Sequence, residues 1–164
     1  MGAMDKKIRI SIADQSLELL NATGTLLRRY RVSTAANGAG EANGSYCTPR
    51  GQHVIRAKIG ADQVENSVFV RRRPTGEIYT PTLGAQFPER DWILTRILWL
   101  SGCEPGFNRL GEHDTMRRFI YIHGSPDEVP MGAPGSHGCI RMRNADVIDL
   151  FERVTVGTPV EIAG

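Results

Sequence analysis

No stretch of about 18 apolar residues occurs in this 164-residue sequence, and its most apolar passage, Trp92 to Leu100, is broken by Thr95 and Arg96. A membrane-spanning helix is therefore not expected. Net charge is also nearly absent, with Lys+Arg 20 against Asp+Glu 18, so neither nucleic acid nor an anionic membrane is an expected partner. Cysteine is scarce: Cys47, Cys103 and Cys139 are an odd number without paired spacing, which fits a reducing compartment better than a disulfide framework. Internal repeats and low-complexity segments are missing. So is the succession of charged, apolar and small residues that marks a secretory leader. Met1-Gly2-Ala3 reads as an expression scar before a native start at Met4, and the expected location is the cytoplasm, or the periplasm if a leader has been removed. The length suits one domain with a real core.

What is present reads as a mostly β chain. Ile8, Ile10 and Ile12 alternate with polar residues, Asp14-Gln15-Ser16 turns, and Leu17 and Leu19 continue as a second strand. After Asn21-Ala22-Thr23-Gly24 a third strand spans about 26–32, and residues 35–51 form a glycine-rich loop before a strand from Gln52 to Lys58. Residues 60–111 follow neither period, and their prolines and glycines suggest loops laid over a sheet; Ile93 to Leu100 suits strand or helix. Phe119 to His123 is a short β-rich run. Asn144 can cap a helix whose Val147, Leu150, Phe151 and Val154 share one face, with Gly157 ending it and Pro159 to Ile162 returning as a strand.

The chemistry concentrates in Ser136-His137-Gly138-Cys139-Ile140-Arg141-Met142, preceded by His123-Gly124-Ser125. In an extended run His137, Cys139 and Arg141 share one face and Ile140 and Met142 the other. The separation of 16 positions from His123 to Cys139 is enough for a loop that returns the chain beside the strand it left. A thiol beside an imidazole can attack a carbonyl, backbone N–H groups around Gly138 can face an oxyanion, and Arg141 can hold a carboxylate. Two plainer readings compete: Cys139 as a packed small hydrophobe, and a zinc site from Cys139, His137, His123 and His113, whose spacings match no paired ligand pattern. Cys47 and Cys103 read as incidental thiols and His53 and His113 as surface or hydrogen-bonded histidines. Arg71-Arg72-Arg73 reads as a solvated face that, with Lys58, could attract acidic ligands.

The two runs resemble the signature of the L,D-transpeptidase catalytic domain, also called the YkuD domain. The likeness extends to the opening strands, Ser33, Thr48-Pro49-Arg50-Gly51, Asn144, Asp146, Leu150 and Gly157-Thr158-Pro159-Val160. It implies a mostly β, YkuD-like sandwich or barrel with one C-terminal helix and long loops over the site, formed by residues 4–164. By position, Cys139 is the implied nucleophile, His123 the base and Gly124 the carbonyl that orients it. His137, Gly138 and Cys139 are the implied oxyanion donors, and Arg141 and Ser136 the substrate contacts. The implied partners are peptidoglycan stem peptides or muropeptides, cleaved between the L-centre of diaminopimelate and a terminal D-alanine through a thioester, with no metal or organic cofactor. Without a leader, the expected outcome is hydrolysis, an L,D-carboxypeptidase activity in murein recycling. The alternatives are cross-link formation or D-amino-acid exchange by transpeptidation, and an inactive murein-fragment binding module.

Overall fold

A computed structural model describes residues 6–164; the expected scar and Met4 start lie outside the described residues. The opening meander is β1 (Lys7–Ser11), β2 (Ser16–Leu20) and β3 (Leu26–Arg31), each antiparallel to the next. Alternation buries Ile8, Ile10, Leu17 and Leu19 and leaves arginines on β3, an edge strand whose charge discourages further pairing. The sheet continues from β1 through β10 (Pro159–Ala163), which lies parallel to it, to β4 (Gly51–Ile59) and β7 (Ile93–Gly102). β7 then pairs with β8 (Tyr121–Ser125), and β8 runs parallel to β9 (Ile140–Arg143).

The ends of this sheet meet. Ser33, two residues beyond β3, exchanges two backbone hydrogen bonds of 2.9 Å with Arg141 of β9, so the strand row closes into a barrel-like ring. That closure explains why residues from β1, β2, β4, β7, β8, β9 and β10 share one core with Val147, Leu150 and Phe151 of helix α2 (Asn144–Arg153) and with Val154 just after it. Lys58 secures the helix by donating to the Val154 carbonyl at 2.8 Å while stacking on Phe151.

Several sequence expectations need correction. The region 60–111 is not mainly loop: it holds β5 (Ser67–Val70), β6 (Arg73–Ile78), helix α1 (Pro81–Gln86) and β7, which settles Ile93–Leu100 as strand. The helix at the C-terminal end is therefore accompanied by a second, short one, begun by Thr80, whose Oγ1 accepts from the Leu83 N–H, with Pro81 in its first turn. The strand expected at Phe119 starts at Tyr121, because Phe119 has φ 58° in the preceding turn, and it continues to Ser125.

Asn144 does not cap α2. Arg143 occupies the cap position without a side-chain bond, and the buried Asn144 side chain turns into the sheet instead. Its Oδ1 accepts from Thr95 Oγ1 at 2.6 Å, its Nδ2 donates to Asn66 Oδ1 at 2.9 Å, and Thr95 Oγ1 accepts from the Asn66 N–H at 3.0 Å. Thr95 sits at φ 75° in a bulge of β7 that this triad fills. Gly124 lies directly against it: a Cβ there would overlap Asn144 Oδ1 and come within 2.6 Å of the Leu94 carbonyl. Replacing Asn144 with Ala leaves the buried Thr95 hydroxyl and the half-buried Asn66 amide without their partner, and should lower stability by about 1–3 kcal/mol in urea unfolding. A loss within error of zero would mean that the triad does not hold the bulge.

Candidate active site

The paired strands decide which side chains share a face. His123 stands opposite Ile97 across the β7–β8 pair and beside Arg141 across the β8–β9 pair. Ile97, Tyr121 and Phe69 form a small cluster against which Cys139 and Trp99 pack, whereas Ile122, Ile140 and Met142 belong to the main core behind. Cys139 and His123 therefore lie on the same side of the sheet, away from α2. The Cys139 Sγ accepts from the Tyr121 N–H at 3.3 Å and lies 3.4 Å from the Phe119 carbonyl.

His123 is fully buried, and its Nδ1 is 2.6 Å from the carbonyl of Gly124. A carbonyl can only accept, so Nδ1 carries the proton and Nε2 presents a lone pair. That Nε2 is a buried side-chain atom with no hydrogen-bond partner among the described residues. Burial lowers the imidazole's pKa below its ordinary value, against the influence of Asp91 and the Gly124 carbonyl. Burial also pushes the Cys139 thiol up to about 12; Asp91 adds to this, and the Tyr121 N–H, Arg141 and Arg118 oppose it without prevailing. The resting pair is thus a neutral thiol and a neutral imidazole, suited to proton transfer during attack rather than before it.

The loop entering β9 is held from two sides. Ser136 donates its N–H to the Thr34 carbonyl at 2.9 Å, and Thr48 Oγ1 donates to the Gly138 carbonyl at 2.9 Å. Gly138 has φ 130°, a conformation that disfavours any side chain, and a Cβ would be tight at 3.1 Å from Ile120 and 3.2 Å from the Cys47 carbonyl. Two expectations change here. Ser136 is buried and not turned to substrate: its Oγ donates to the Cys139 carbonyl at 2.6 Å and accepts from the Gly138 N–H at 3.2 Å. Gly138's N–H, expected as an oxyanion donor, is thereby used inside the turn, while those of His137 and Cys139 donate to no group among the described residues.

Cys139 opens onto a cleft of about 450 Å³ lined also by Arg71, Arg72, Arg118, Asp91 and Tyr121. Arg141, expected in the substrate groove, is not part of this lining. Its guanidinium is bonded to Asp91 at 3.3 Å and to the Gly135 carbonyl at 3.1 Å. Sequence pattern does not mark the three arginines of the cleft as site residues: Arg71 and Arg72 belong to a charged run, and Arg118 lies outside both signature runs. Arg72 lies 4.7 Å from the Trp99 ring and 4.8 Å from that of Phe119 and donates to the Tyr121 hydroxyl at 2.8 Å. Arg118 bonds the carbonyls of Gly40 and Cys47 and the Ser45 hydroxyl, and burial draws its pKa down. His137 is exposed, stacking edge-on with Tyr46.

Among the described residues no three His, Cys, Asp or Glu side chains converge as metal ligands would, so Cys139, His137, His123 and His113 do not form the cluster a zinc site needs. His53 is buried, with Nε2 2.9 Å from Thr115 Oγ1, and desolvation lowers its pKa to about 4.

The site thus puts on one face of the sheet a thiol and an imidazole with a ring nitrogen unpartnered among the described residues. Residues 5–162 match the family model for the L,D-transpeptidase catalytic domain, YkuD, and the chain belongs to that family. Relatives include a probable L,D-transpeptidase, YbiS, of Escherichia coli strain K12, 48% identical over 126 residues that cover 71% of this chain and 40% of that protein. A putative L,D-transpeptidase, YqjB, of Bacillus subtilis strain 168 is 32% identical over 115 residues, 70% of this chain and 51% of that protein. The chain thus matches about half or less of these relatives' length. The fold is shared with an L,D-transpeptidase from Mycobacterium smegmatis, with a TM-score of 0.58, 18% identity, and coverage of 98% of this chain and 59% of that one. It is shared too with L,D-transpeptidase 3 from Mycobacterium tuberculosis, solved with a faropenem-derived adduct: TM-score 0.59, 16% identity, 98% and 60% covered.

With a neutral resting pair, alkylation of Cys139 by iodoacetamide should keep rising from about pH 6 to about pH 9. A plateau below about pH 7 would reveal a preformed thiolate–imidazolium pair. The Cys47 thiol is turned into its own loop, 3.6 Å from the Asn37 and Ser45 carbonyls, and Cys103 lies outside the cleft lining. Cys47→Ser and Cys103→Ser should therefore stay within about twofold of the parent rate; a larger loss in a folded variant would relocate the nucleophile.

Proposed function

We propose that Cys139 attacks the carbonyl at the L-centre of diaminopimelate in a peptidoglycan stem peptide, with His123 Nε2 taking the thiol proton. A C–S bond forms, the C–N bond to D-alanine breaks, and the proton passes to the leaving amine. The observation that carries this reading is the Gly124 carbonyl fixing the His123 tautomer, which leaves a basic nitrogen on the same sheet face as the thiol. The N–H groups of His137 and Cys139 would face the developing oxyanion, with Gly138 supporting the turn that presents them.

Water is the acceptor we favour, giving tripeptide and free D-alanine. The cleft and the adjoining groove beyond His137 carry Arg71, Arg72, Arg117 and Arg118, whereas Asp91 is already paired with Arg141. Such a surface raises the cost of admitting a protonated amine but not that of admitting water. Unbridged cysteines at 47, 103 and 139 fit a reducing compartment, so the cytoplasm and soluble muropeptides are the setting we propose.

Incubation with purified tetrapeptide muropeptide, with and without an amine acceptor, should yield mainly tripeptide by mass spectrometry. Cys139→Ala should lose at least about a thousandfold in rate while unfolding at the parent temperature. Cross-linked dimer in excess of tripeptide would overturn hydrolysis in favour of transpeptidation, and full turnover by Cys139→Ala would remove the thiol from the chemistry.

A further inference from the structure

The cleft holds more positive charge than its own chain neutralises. Among the described residues Asp91 is the sole carboxylate lining it, and Asp91 is bonded to Arg141 from outside the lining. Arg118 spends three of its N–H donors on Gly40, Ser45 and Cys47, which leaves its Nε–H and one Nη1 hydrogen, and among the described residues it has no ion pair. Arg71 enters neither a hydrogen bond nor an ion pair among the described residues.

The position of Arg71 is set with some care. Arg71 and Arg72 form the β5–β6 turn at φ 51° and 66°, a left-handed pair of positions that side-chain-bearing residues other than Asn and Asp seldom occupy. The turn is pinned because Arg72 packs on the Trp99 and Phe119 rings and bonds the Tyr121 hydroxyl. The Arg71 backbone is thereby held at the rim of the cleft. Ile93, Phe119 and Ile120 add apolar lining that a methylene chain can lie against.

We propose that Arg71 and Arg118 recognise a free carboxylate at the far end of the donor's diamino-acid side chain, so that the enzyme selects stem peptides in which this group is not amidated. The inference rests on the acyl-transfer reading above and adds the substrate class to it. It also assigns the substrate carboxylate to the cleft arginines in place of Arg141, whose guanidinium is committed to Asp91 and Gly135. An apolar slot with unneutralised guanidiniums suits a short methylene chain whose distal carboxylate balances the ammonium on the same carbon, whereas amidation leaves that ammonium as a bare cation facing the arginines.

The test compares three tetrapeptides: one with both carboxylates free, one amidated on the diaminopimelate side-chain carboxyl, and one amidated on the terminal D-alanine. Side-chain amidation should lower kcat/KM at least about tenfold, largely through KM. Arg71→Gln, at an exposed position, should shrink that ratio to about threefold or less while leaving iodoacetamide alkylation of Cys139 unchanged. Arg118→Lys, which keeps the charge, should retain more of the discrimination than Arg118→Gln. Equal turnover of the free and side-chain-amidated peptides, or discrimination against the D-alanine amide alone, would overturn carboxylate selection and leave acyl transfer standing. Turnover of none of the three would refute the acyl-transfer reading itself.

Discussion

Two backbone hydrogen bonds between Ser33 and Arg141 close the ten-stranded sheet, and the position of the nucleophile depends on them. Without this bridge β9 would be a free edge joined only to β8, and the loop leading into it would be fastened on one side. With it, residues 33–36 run alongside residues 135–141, and the Thr34 carbonyl receives the N–H groups of both Gly135 and Ser136. Gln15 in turn holds Thr34 through its N–H and its hydroxyl at 2.9 and 2.6 Å. The turn that carries Cys139 is therefore set by a segment more than 100 residues earlier in the chain. This is long-range packing put to the service of one thiol.

The same tight packing dictates the electrostatics. A thiol and an imidazole in crowded surroundings both favour their neutral forms, for opposite changes in pKa. The ion pair that assists some thiol enzymes is disfavoured here, and the chain instead keeps one proton on Nδ1 by means of the Gly124 carbonyl. Gly124 must be glycine for a reason unconnected with that carbonyl: the Thr95–Asn144–Asn66 triad occupies the space a side chain would need. A bulge in β7, a helix start and the orientation of His123 are thus tied through a few atoms.

Charge in the cleft follows another logic. Strong local interactions absorb Arg72 and Arg141, through aromatic rings in one case and Asp91 in the other. Arg118 is drawn inward by carbonyl groups of the loop at residues 40–47, without an acidic partner among the described residues. A cation held by neutral acceptors remains available to an incoming anion in a way that a salt-bridged one does not, and this separates the cleft arginines from Arg141.

Short-range pattern was enough to specify the regular elements at both ends of the chain. Alternation in residues 7–31 specified the meander, the spacing of Val147, Leu150, Phe151 and Val154 specified α2, and the runs at 123–125 and 136–142 marked the stretch containing Cys139 and His123. Thr80-Pro81 was a legible helix start that its glycine- and proline-rich surroundings obscured. Other assignments were beyond reading in one dimension. Asn144 has the chemistry of a helix cap, but a buried partner on β7 claimed its side chain; Ser136 has the chemistry of a substrate contact, but the tight turn around Gly138 used its hydroxyl. Arg118, Arg71 and Arg141 are alike in sequence, and only the closed sheet decided which is paired and which faces the cleft. Local periodicity reports which face of an element is apolar, whereas hydrogen-bond partners and counter-charges come from residues more than 100 positions away, brought together by burial of the common core.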